Sequence, residues 1–346
     1  MNRTIDFRYY AVRNGVDFCQ LHAVSDAKIT MDAGGAIKTR FSGSFLLPEE
    51  PVNWLTDEIR AEMVIDGVPH SLGLFLPSTI RENDDGVGKR IAVDAYDRNW
   101  IVKDHRVETV PYYASGTNYI SAVSSTLAEC GITLISAVPT AETLAEDRED
   151  WEIGTSSLDI INQLLSEINY KDLWFDASGV AVLEPKTTPT ATNIDHVLDE
   201  SNVESLLIPG ISKYTDIFSQ PNVFICVCSN ADKASDMVAI AENTNPQSPL
   251  SIDRRGRRVS AVYKVNNIAS QSELQLYAQR MVTDSLMQGE VIEVTTCLLP
   301  GYGVGDVIAL KYGDIMGICE ESRWTMVLKA GGTMSHTLNR VVMNLE

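Results

Sequence analysis

Alternation of polar and apolar residues constrains this chain more than any other feature. Ile5, Phe7 and Tyr9 alternate with polar neighbours, and RIAVDAYD repeats the pattern at residues 90–97. Because successive side chains of a strand point to opposite faces, a period of two predicts strands with one buried and one wet face. The segment AEMVIDGVPHSLGLFL predicts a hairpin turning at Asp66-Gly67, with Leu72, Leu74 and Leu76 on one face. Several such strands in succession are typical of a β-sandwich or barrel.

The middle of the chain changes to a helical period. Gly116-Thr117 precedes one run of apolar residues at helical spacing, and Gly154-Thr155-Ser156 precedes another. Hydroxyl residues at these positions are expected to cap the exposed backbone N–H groups. Each predicted helix leads into an apolar strand, which indicates a small α/β domain. The acidic run Glu142–Glu152 between them is interpreted as a solvated loop.

Strands return after the linker-like stretch TTPTATN around Pro189. A helix at about 270–288 is predicted from a capping box of Ser270 and Glu273, with Leu274, Ala278 and Met281 on one face. The predicted fold class is therefore β-rich α+β, with two antiparallel β-barrel or sandwich domains and a small α/β domain between them. The predicted boundaries are 1–105 and 203–346 for the β domains and 106–202 for the α/β domain.

The charge of the chain limits its partners. Asp and Glu number 47 against 28 Lys and Arg, giving a net charge of −19, and residues 101–200 alone hold 17 acidic and 5 basic groups. Such a chain repels nucleic acid, so specific DNA binding is not expected. No apolar run approaches the ~20 residues that span a bilayer, and the N-terminus lacks the apolar stretch of a signal peptide. We therefore expect no membrane insertion and folding in a cytoplasm.

Signatures of enzymes and metal sites are weak. The histidines lack the paired spacing of metal ligands, and Leu158 replaces the second glycine of a nucleophile elbow after Gly154. Gly301–Asp306 superficially resembles a phosphate loop but is interpreted as a tight turn before a strand. Cys226 and Cys228 have no second pair to complete a zinc site, so they are expected in a strand core. We predict no catalytic, cofactor-binding or metal-binding residues, no cofactor, and no enzymatic activity.

One basic cluster stands out, consisting of Arg254, Arg255, Arg257 and Arg258. Four guanidinium groups within five residues repel one another unless acidic groups compensate. The cluster is a candidate contact with a neighbouring subunit or partner. A solvated turn and a nucleic-acid contact are the alternatives.

Several segments together resemble a known family. They include GTSSLDIINQLLSEINYKDLWFD, QPNVFICVCSN, LPGYGVGDVIAL, WTMVLKAGGTMSHTLNRVV and the long stretch from Ala241 to Met281. These segments resemble the baseplate hub proteins of Gram-positive phages, defective prophages and phage-tail-like bacteriocins. The resemblance extends from about Ala36 to the C-terminus, and its motifs are structural ones.

The resemblance implies a homotrimer with two domains like the tail-tube β fold in each subunit. Its partners would be the tail tube or a distal tail protein and the central spike or tip protein, with the tape measure protein and baseplate wedge as further candidates. The expected location is a virion or phage-tail-like particle assembled in the bacterial host cytoplasm. Longer relatives continue into a peptidoglycan-cleaving or fibre domain, so lytic activity is expected on another protein. Two alternatives stay open: a tail-associated peptidoglycan hydrolase, and a peripheral module that binds receptors or fibres.

Overall fold

The computed structural model describes residues 3–84, 86, 88–215, 220–228, 237–265, 271–286 and 290–341. The chain divides into two compact units. Unit 1 comprises Met1–Thr188, Thr296–Val304 and Arg323–Ser335, and unit 2 comprises Pro189–Thr295, Gly305–Ser322 and His336–Glu346. The first crossing between the units thus falls within the TTPTATN stretch. The three-domain division at 105/106 and 202/203 stays a prediction.

Unit 1 begins with strands whose order in the sheet is β2-β1-β5-β6-β7-β4-β3, and every neighbouring pair in this order is antiparallel. Residues 323–328 pair antiparallel with β3. The strands are β1 (Ile5–Arg13), β2 (Val16–Leu21), β3 (Ala27–Asp32), β4 (Thr39–Leu46), β5 (Glu58–Ile65), β6 (Val68–Asp84) and β7 (Lys89–Tyr96).

The alternating pattern is the reason these segments form strands. In β7 the inward residues Ile91, Val93 and Ala95 are buried while their neighbours are partly exposed. The hairpin between β5 and β6 turns at Asp66-Gly67, where φ is +49° and +87°, as the sequence predicted. Aromatic rings fill the core beneath the sheet, with the Phe41 and Phe75 ring centroids 5.3 Å apart.

The rest of unit 1 is the predicted α/β region, which has a hydrophobic core of its own. Its central strand β10 pairs parallel with β8 and antiparallel with β9. Leu127 of α2 and Leu164 of α3 are fully buried in this core. The elements are α1 (Asn99–Asp104), α2 (Tyr119–Glu129), β8 (Ile135–Ala137), α3 (Ser157–Glu167), β9 (Trp174–Phe175) and β10 (Ala181–Leu183).

Unit 2 is also β-rich. Its elements are β11 (His196–Asp199), a 3-10 turn (Val203–Ser205), β12 (Leu207–Tyr214), β13 (Val223–Cys228), β14 (Met237–Glu242), α4 (Ile252–Arg255), β15 (Ser260–Val265), α5 (Gln271–Leu286), β16 (Glu290–Cys297), β17 (Val307–Tyr312), β18 (Ile315–Leu328) and β19 (Thr333–Arg340). The last residues of β16 and β18 and the first three of β19 belong to unit 1.

Two sheets organise unit 2. One has the order β12-β16-β19-β18-β17-β11, and the other is the three-stranded sheet β14-β13-β15. Leu274 and Ala278 of α5 are fully buried against the three-stranded sheet, together with Cys226 and Cys228. The expectation that both cysteines lie in a strand core is confirmed, and so is the apolar face of the helix. The predicted capping residue Ser270 and the Glu273 side chain lie outside the described residues.

The predicted fold class is thus confirmed as β-rich and mainly antiparallel with few helices. The strands of the described residues form open sheets and not a closed barrel.

Candidate assembly site

The arginine cluster lies on the short helix α4 and the turn that follows it. The Ser251 hydroxyl accepts the Arg254 N–H at 3.3 Å, and Gly256 ends the helix with a φ of +65°. A fully buried side chain, Asn222, anchors this turn. Its amide donates to the carbonyls of Leu250 and Arg257, and its oxygen accepts the Val259 N–H at 2.7 Å. The backbone that carries the arginines is therefore well braced.

Three of the four arginines bind their own chain. Arg254 Nε donates to the Pro246 carbonyl at 3.0 Å, and Arg255 donates to the Gln220 carbonyl. Arg258 forms an ion pair with Glu242 at 2.5 Å, and this hydrogen bond raises the pKa of its guanidinium. Only one of these acceptors is a carboxylate, so the cluster keeps most of its positive charge.

Arg257 differs from its neighbours. Its side chain is exposed, and within residues 220–228, 237–265 and the other described segments its guanidinium has no hydrogen bond or ion pair. The cluster thus presents a free guanidinium beside three held ones. That it faces the carboxylates of a neighbouring subunit stays a prediction.

The histidines take structural positions. His105 Nδ1 lies 2.8 Å from the Ser157 hydroxyl, and His196 Nε2 lies 2.9 Å from Asp306 Oδ2. His336 Nδ1 is 2.7 Å from Glu321 Oε2, with both side chains fully buried. The sequence interpretation of hydrogen-bonded histidines is confirmed for these three.

The Glu321–His336 pair was not found from the sequence. Burial raises the pKa of Glu321 well above its usual range, and nearby Asp306 raises it further. Burial, with a smaller contribution from His196, lowers the pKa of His336 to about 3. Both directions favour a neutral pair at pH 7, in which the carboxylic acid O–H donates to Nδ1. The signal that could have found it is positional: Glu321 shares the inward parity of the buried Cys319 on β18. Because solvent cannot reach either group, the pair braces the core and is unsuited to catalysis.

The other sequence candidates also have structural explanations. Gly301 and Gly305 have φ of +89° and +68° and lie in the turn before β17, as expected. Within the described part of the chain, no three His, Cys, Asp or Glu side chains are grouped as a metal site would require. No helix among the described residues is both long and apolar enough to cross a membrane.

Comparisons with known proteins place this fold. No family model matches the sequence, and no curated protein is significantly similar to it. Solved structures do match. A tail protein from Neisseria meningitidis superposes with a TM-score of 0.68 at 11% identity over 96% of each chain.

Two further structures agree with this result. The 43 kDa tail protein of prophage MuSo2 from Shewanella oneidensis gives a TM-score of 0.70 at 10% identity, over 97% of this chain and 98% of that one. The E. coli c3393 protein gives 0.56 at 10% identity, over 99% of this chain and 77% of its own. That protein is described as a type VI secretion component structurally similar to the T4 tail proteins gp27 and gp5.

These matches define the class of the fold. The chain has the fold of phage tail and baseplate proteins. The resemblance to such proteins that the sequence motifs indicated is confirmed at the level of the fold.

Proposed function

We propose that this chain is a structural baseplate hub protein of a phage or phage-like tail. The observation that carries the proposal is the correspondence with two tail proteins over 96–97% of the chain, at TM-scores of 0.68 and 0.70. Because the match spans nearly the full length of all three proteins, it concerns the whole chain and not one shared module. The likeness of the third match to gp27 and gp5 favours a central position in the baseplate.

The proposed assembly is a homotrimer that forms a pseudo-sixfold ring. A hub must join sixfold tube rings to a threefold spike. Three subunits with two β regions each present six similar surfaces on one side and three on the other. The two β-rich parts of this chain, in units 1 and 2, are the candidates for that pair. The partners are the tail tube or distal tail protein on one face and the spike on the other, with the tape measure protein and wedge as additional neighbours.

The ring would line the channel through which DNA passes. The net charge of −19 suits this task, since DNA meets repulsion on the wall and does not bind there. The protein acts inside a virion tail or a tail-like particle in this proposal.

A non-enzymatic role is part of the proposal. The described histidine pairs Glu321–His336 and His196–Asp306 are buried or half-buried structural contacts, with no nucleophile placed beside them. We expect the purified chain to release no muropeptides from peptidoglycan. Release that a single carboxylate or serine substitution abolishes would favour the hydrolase alternative.

The oligomeric state of the purified protein tests the ring. Light scattering after size-exclusion chromatography should give about three times the 38.1 kDa of one chain. Negative-stain images should show a closed ring with an axial hole. Compact monomers at micromolar concentration, with no ring formed on mixing with tube protein, would contradict the proposal.

A further inference from the structure

Unit 1 contains a cavity of about 200 Å³ beneath residues 301–304, the glycine-rich turn before β17. Its other walls come from the start of β6, the end of β7, the β9 segment and residues 324–326 of β18. A cavity of roughly 150 Å³ holds a benzene molecule. The present cavity therefore has room for a ligand of about six to eight heavy atoms.

The charged groups that line the cavity are all acidic. They are Asp97 and Asp176, and no Lys, Arg or His is among the lining residues. Asp97 is only 4% exposed. Its carboxylate accepts the Thr39 N–H at 2.6 Å and the Asn99 N–H at 3.0 Å.

Asp97 lacks an ion-pair partner among the described residues. The nearby Lys38 amine donates instead to the Ala33 carbonyl at 2.8 Å and to Asp172 at 3.2 Å. Burial raises the pKa of Asp97 to about 7, which reflects the unfavourable free energy of an unpaired buried charge. A cation entering the cavity would relieve that penalty.

Aromatic side chains form much of the remaining wall. They are Phe75, Trp174, Phe175, Tyr302 and Trp324. The indole Nε1 atoms of Trp174 and Trp324 are sealed from solvent and have no hydrogen-bond partner. Since these N–H groups are covered, the tryptophans present ring carbon to the cavity. Aromatic carbon around an acidic group is the setting in which proteins bind organic ammonium ions through cation–π attraction.

We propose that this cavity is a binding site for a small alkylammonium cation, with Asp97 as its counter-ion and Trp174, Trp324 and Tyr302 as its aromatic wall. The wall combines negative charge, aromatic carbon and a volume matched to one such group. A neutral apolar ligand would leave the buried carboxylate unpaired, and an inorganic cation would leave the aromatic surface unused. The site is independent of the proposed hub function, because it lies wholly within unit 1 of a single chain.

Choline and its neutral isostere 3,3-dimethylbutan-1-ol separate the charge from the shape of the ligand. Calorimetric titration at pH 8, with ionic strength held constant by NaCl, should show saturable binding of choline and at least tenfold weaker binding of the alcohol. Equal affinity for the two, or no binding of choline, would overturn the proposal. n-Butylammonium, which mimics a lysine side chain, distinguishes two sources of the same chemistry. Tighter binding than choline indicates a partner's lysine, and weaker binding indicates a small quaternary amine.

Two variants assign the binding to the cavity. Asp97→Asn should lower choline affinity at least tenfold, whereas Asp94→Asn, which removes a half-exposed carboxylate on the same strand, should leave it unchanged. If circular dichroism shows Asp97→Asn to be unfolded, Trp174→Leu decides. It keeps an apolar wall without the ring, so choline affinity should fall severalfold while affinity for the alcohol changes little. Unchanged choline binding in a folded Asp97→Asn or Trp174→Leu variant would refute the site.

Discussion

Arg257 is the residue of the arginine cluster best placed to contact a neighbour, because its guanidinium has no partner in the described part of its own chain. We predict that Arg257→Ser weakens assembly of the protein while leaving its thermal unfolding unchanged. Light scattering over a series of protein concentrations measures the first effect, and calorimetry measures the second. The effect should diminish as salt rises, since charge pairs at a protein surface are screened.

Arg8→Ser is the matched control. Arg8 is an exposed arginine of β1, and its one contact is a 4.0 Å approach to Asp6. Removal of this positive charge should not affect assembly. An equal effect of both variants would mean that net charge, and not the arginine cluster, governs association.

The Glu321–His336 pair gives a prediction about stability. In a neutral pair, Glu321→Gln retains a donor for Nδ1, so it should change the free energy of unfolding by less than about 1 kcal/mol. Glu321→Ala leaves the histidine nitrogen unsatisfied in the core and should destabilise by about 2–4 kcal/mol. Urea unfolding at pH 7.5 measures both. A large loss in Glu321→Gln, comparable to that of the alanine variant, would indicate a buried ion pair instead.

The same pair predicts a pH dependence. The lowered pKa of His336, about 3, means that the unfolded chain binds a proton below its usual pKa of about 6.5 and the folded chain does not. Stability from His336 is therefore present above pH 6.5 and lost on acidification, by up to about 1.4 kcal/mol per pH unit. Glu321 acts in the opposite sense, because its raised pKa favours the folded state at low pH. Comparing Glu321→Gln with Glu321→Gln/His336→Leu between pH 7.5 and 5 isolates the histidine. Parallel curves for the two variants would disprove its contribution.

Individual capping residues show the limit of local rules. The sequence predicted that Ser156 caps α3, but its hydroxyl donates to the Lys103 carbonyl at 2.9 Å, and Thr155 donates to the Glu152 carbonyl. That prediction is wrong, because a distant chain segment supplies an acceptor for Ser156. At α2 the cap is Asn118, whose oxygen accepts the Ile120 N–H at 3.0 Å. Asx capping is itself a local preference, so this residue could have been chosen from the sequence.

At the scale of elements, α5 protects the edge of the three-stranded sheet. Gln271 Nε2 donates to the Val238 carbonyl at 2.8 Å, and Gln275 Nε2 donates to the Ile240 carbonyl at 3.2 Å. Both carbonyls belong to β14, an edge strand with exposed Val238 and Ile240 side chains. An unprotected apolar edge strand promotes aggregation.

We predict that the double variant Gln271→Ala/Gln275→Ala aggregates faster than the wild type at 37 °C, measured by turbidity and thioflavin fluorescence. The free energy of unfolding should fall only modestly, by about 1–2 kcal/mol for two exposed hydrogen bonds. Gln279→Ala, one turn further along the exposed side of the helix, is the control and should behave like the wild type. Equal aggregation of all three proteins would rule out edge protection by α5.

The acidic run Glu142–Glu152 is a second case at this scale. The sequence interpretation as a solvated loop is wrong for part of the run. Arg148 is buried, forms a bidentate contact with Glu167 at 2.8 and 3.1 Å, and lies over the Trp151 ring at 4.9 Å. The charged residues of the run hide these anchors from a pattern based on hydropathy, because Arg148 is buried only through a partner on α3.

A β-bulge overturned one facial assignment. The register of β5 against β6 shifts between Ala61 and Glu62, so two residues of β6 oppose one of β5. Leu72 and Phe75 therefore both enter the sheet core, whereas Leu74 does not belong to it. The predicted common face of Leu72, Leu74 and Leu76 is wrong. Gly73, with a φ of +146°, is the residue that permits the bulge, and a Cβ there would lie 2.4 Å from the Phe75 ring.

At the scale of the whole molecule, net charge leads to a prediction about DNA. We expect no retention of a 30-base-pair duplex by the protein at up to tens of micromolar in 50 mM salt, because a net charge of −19 repels phosphate. Gel shift and fluorescence anisotropy measure this. Neutralising the acidic region 142–152 by Glu→Gln and Asp→Asn changes should move the protein toward weak, salt-sensitive retention. Tight binding by the wild type would contradict a channel that DNA passes without adhering.

The proposed duplication of β regions also belongs to this scale and stays a prediction. The strands β1–β7 pair only antiparallel, whereas unit 2 also contains the parallel pairs β11–β17 and β13–β15. Superposing the two regions in the assembled particle would test it. If they occupy unrelated positions around the channel, the pseudo-sixfold arrangement is wrong.

The sequence by itself determined where the strands and helices lie and which class of fold they build. Alternation at Ile91, Val93 and Ala95, the Asp66-Gly67 turn and the apolar face of α5 are local patterns, and local sterics and burial suffice to read them. The tertiary structure alone decided the Glu321–His336 pair, the partner of Arg148, the bulge at Gly73 and the cavity beside Asp97. Each of these depends on residues far apart in the chain meeting in a dry interior, where the free energy of an ionisable or polar group is set by its neighbours and not by its own segment.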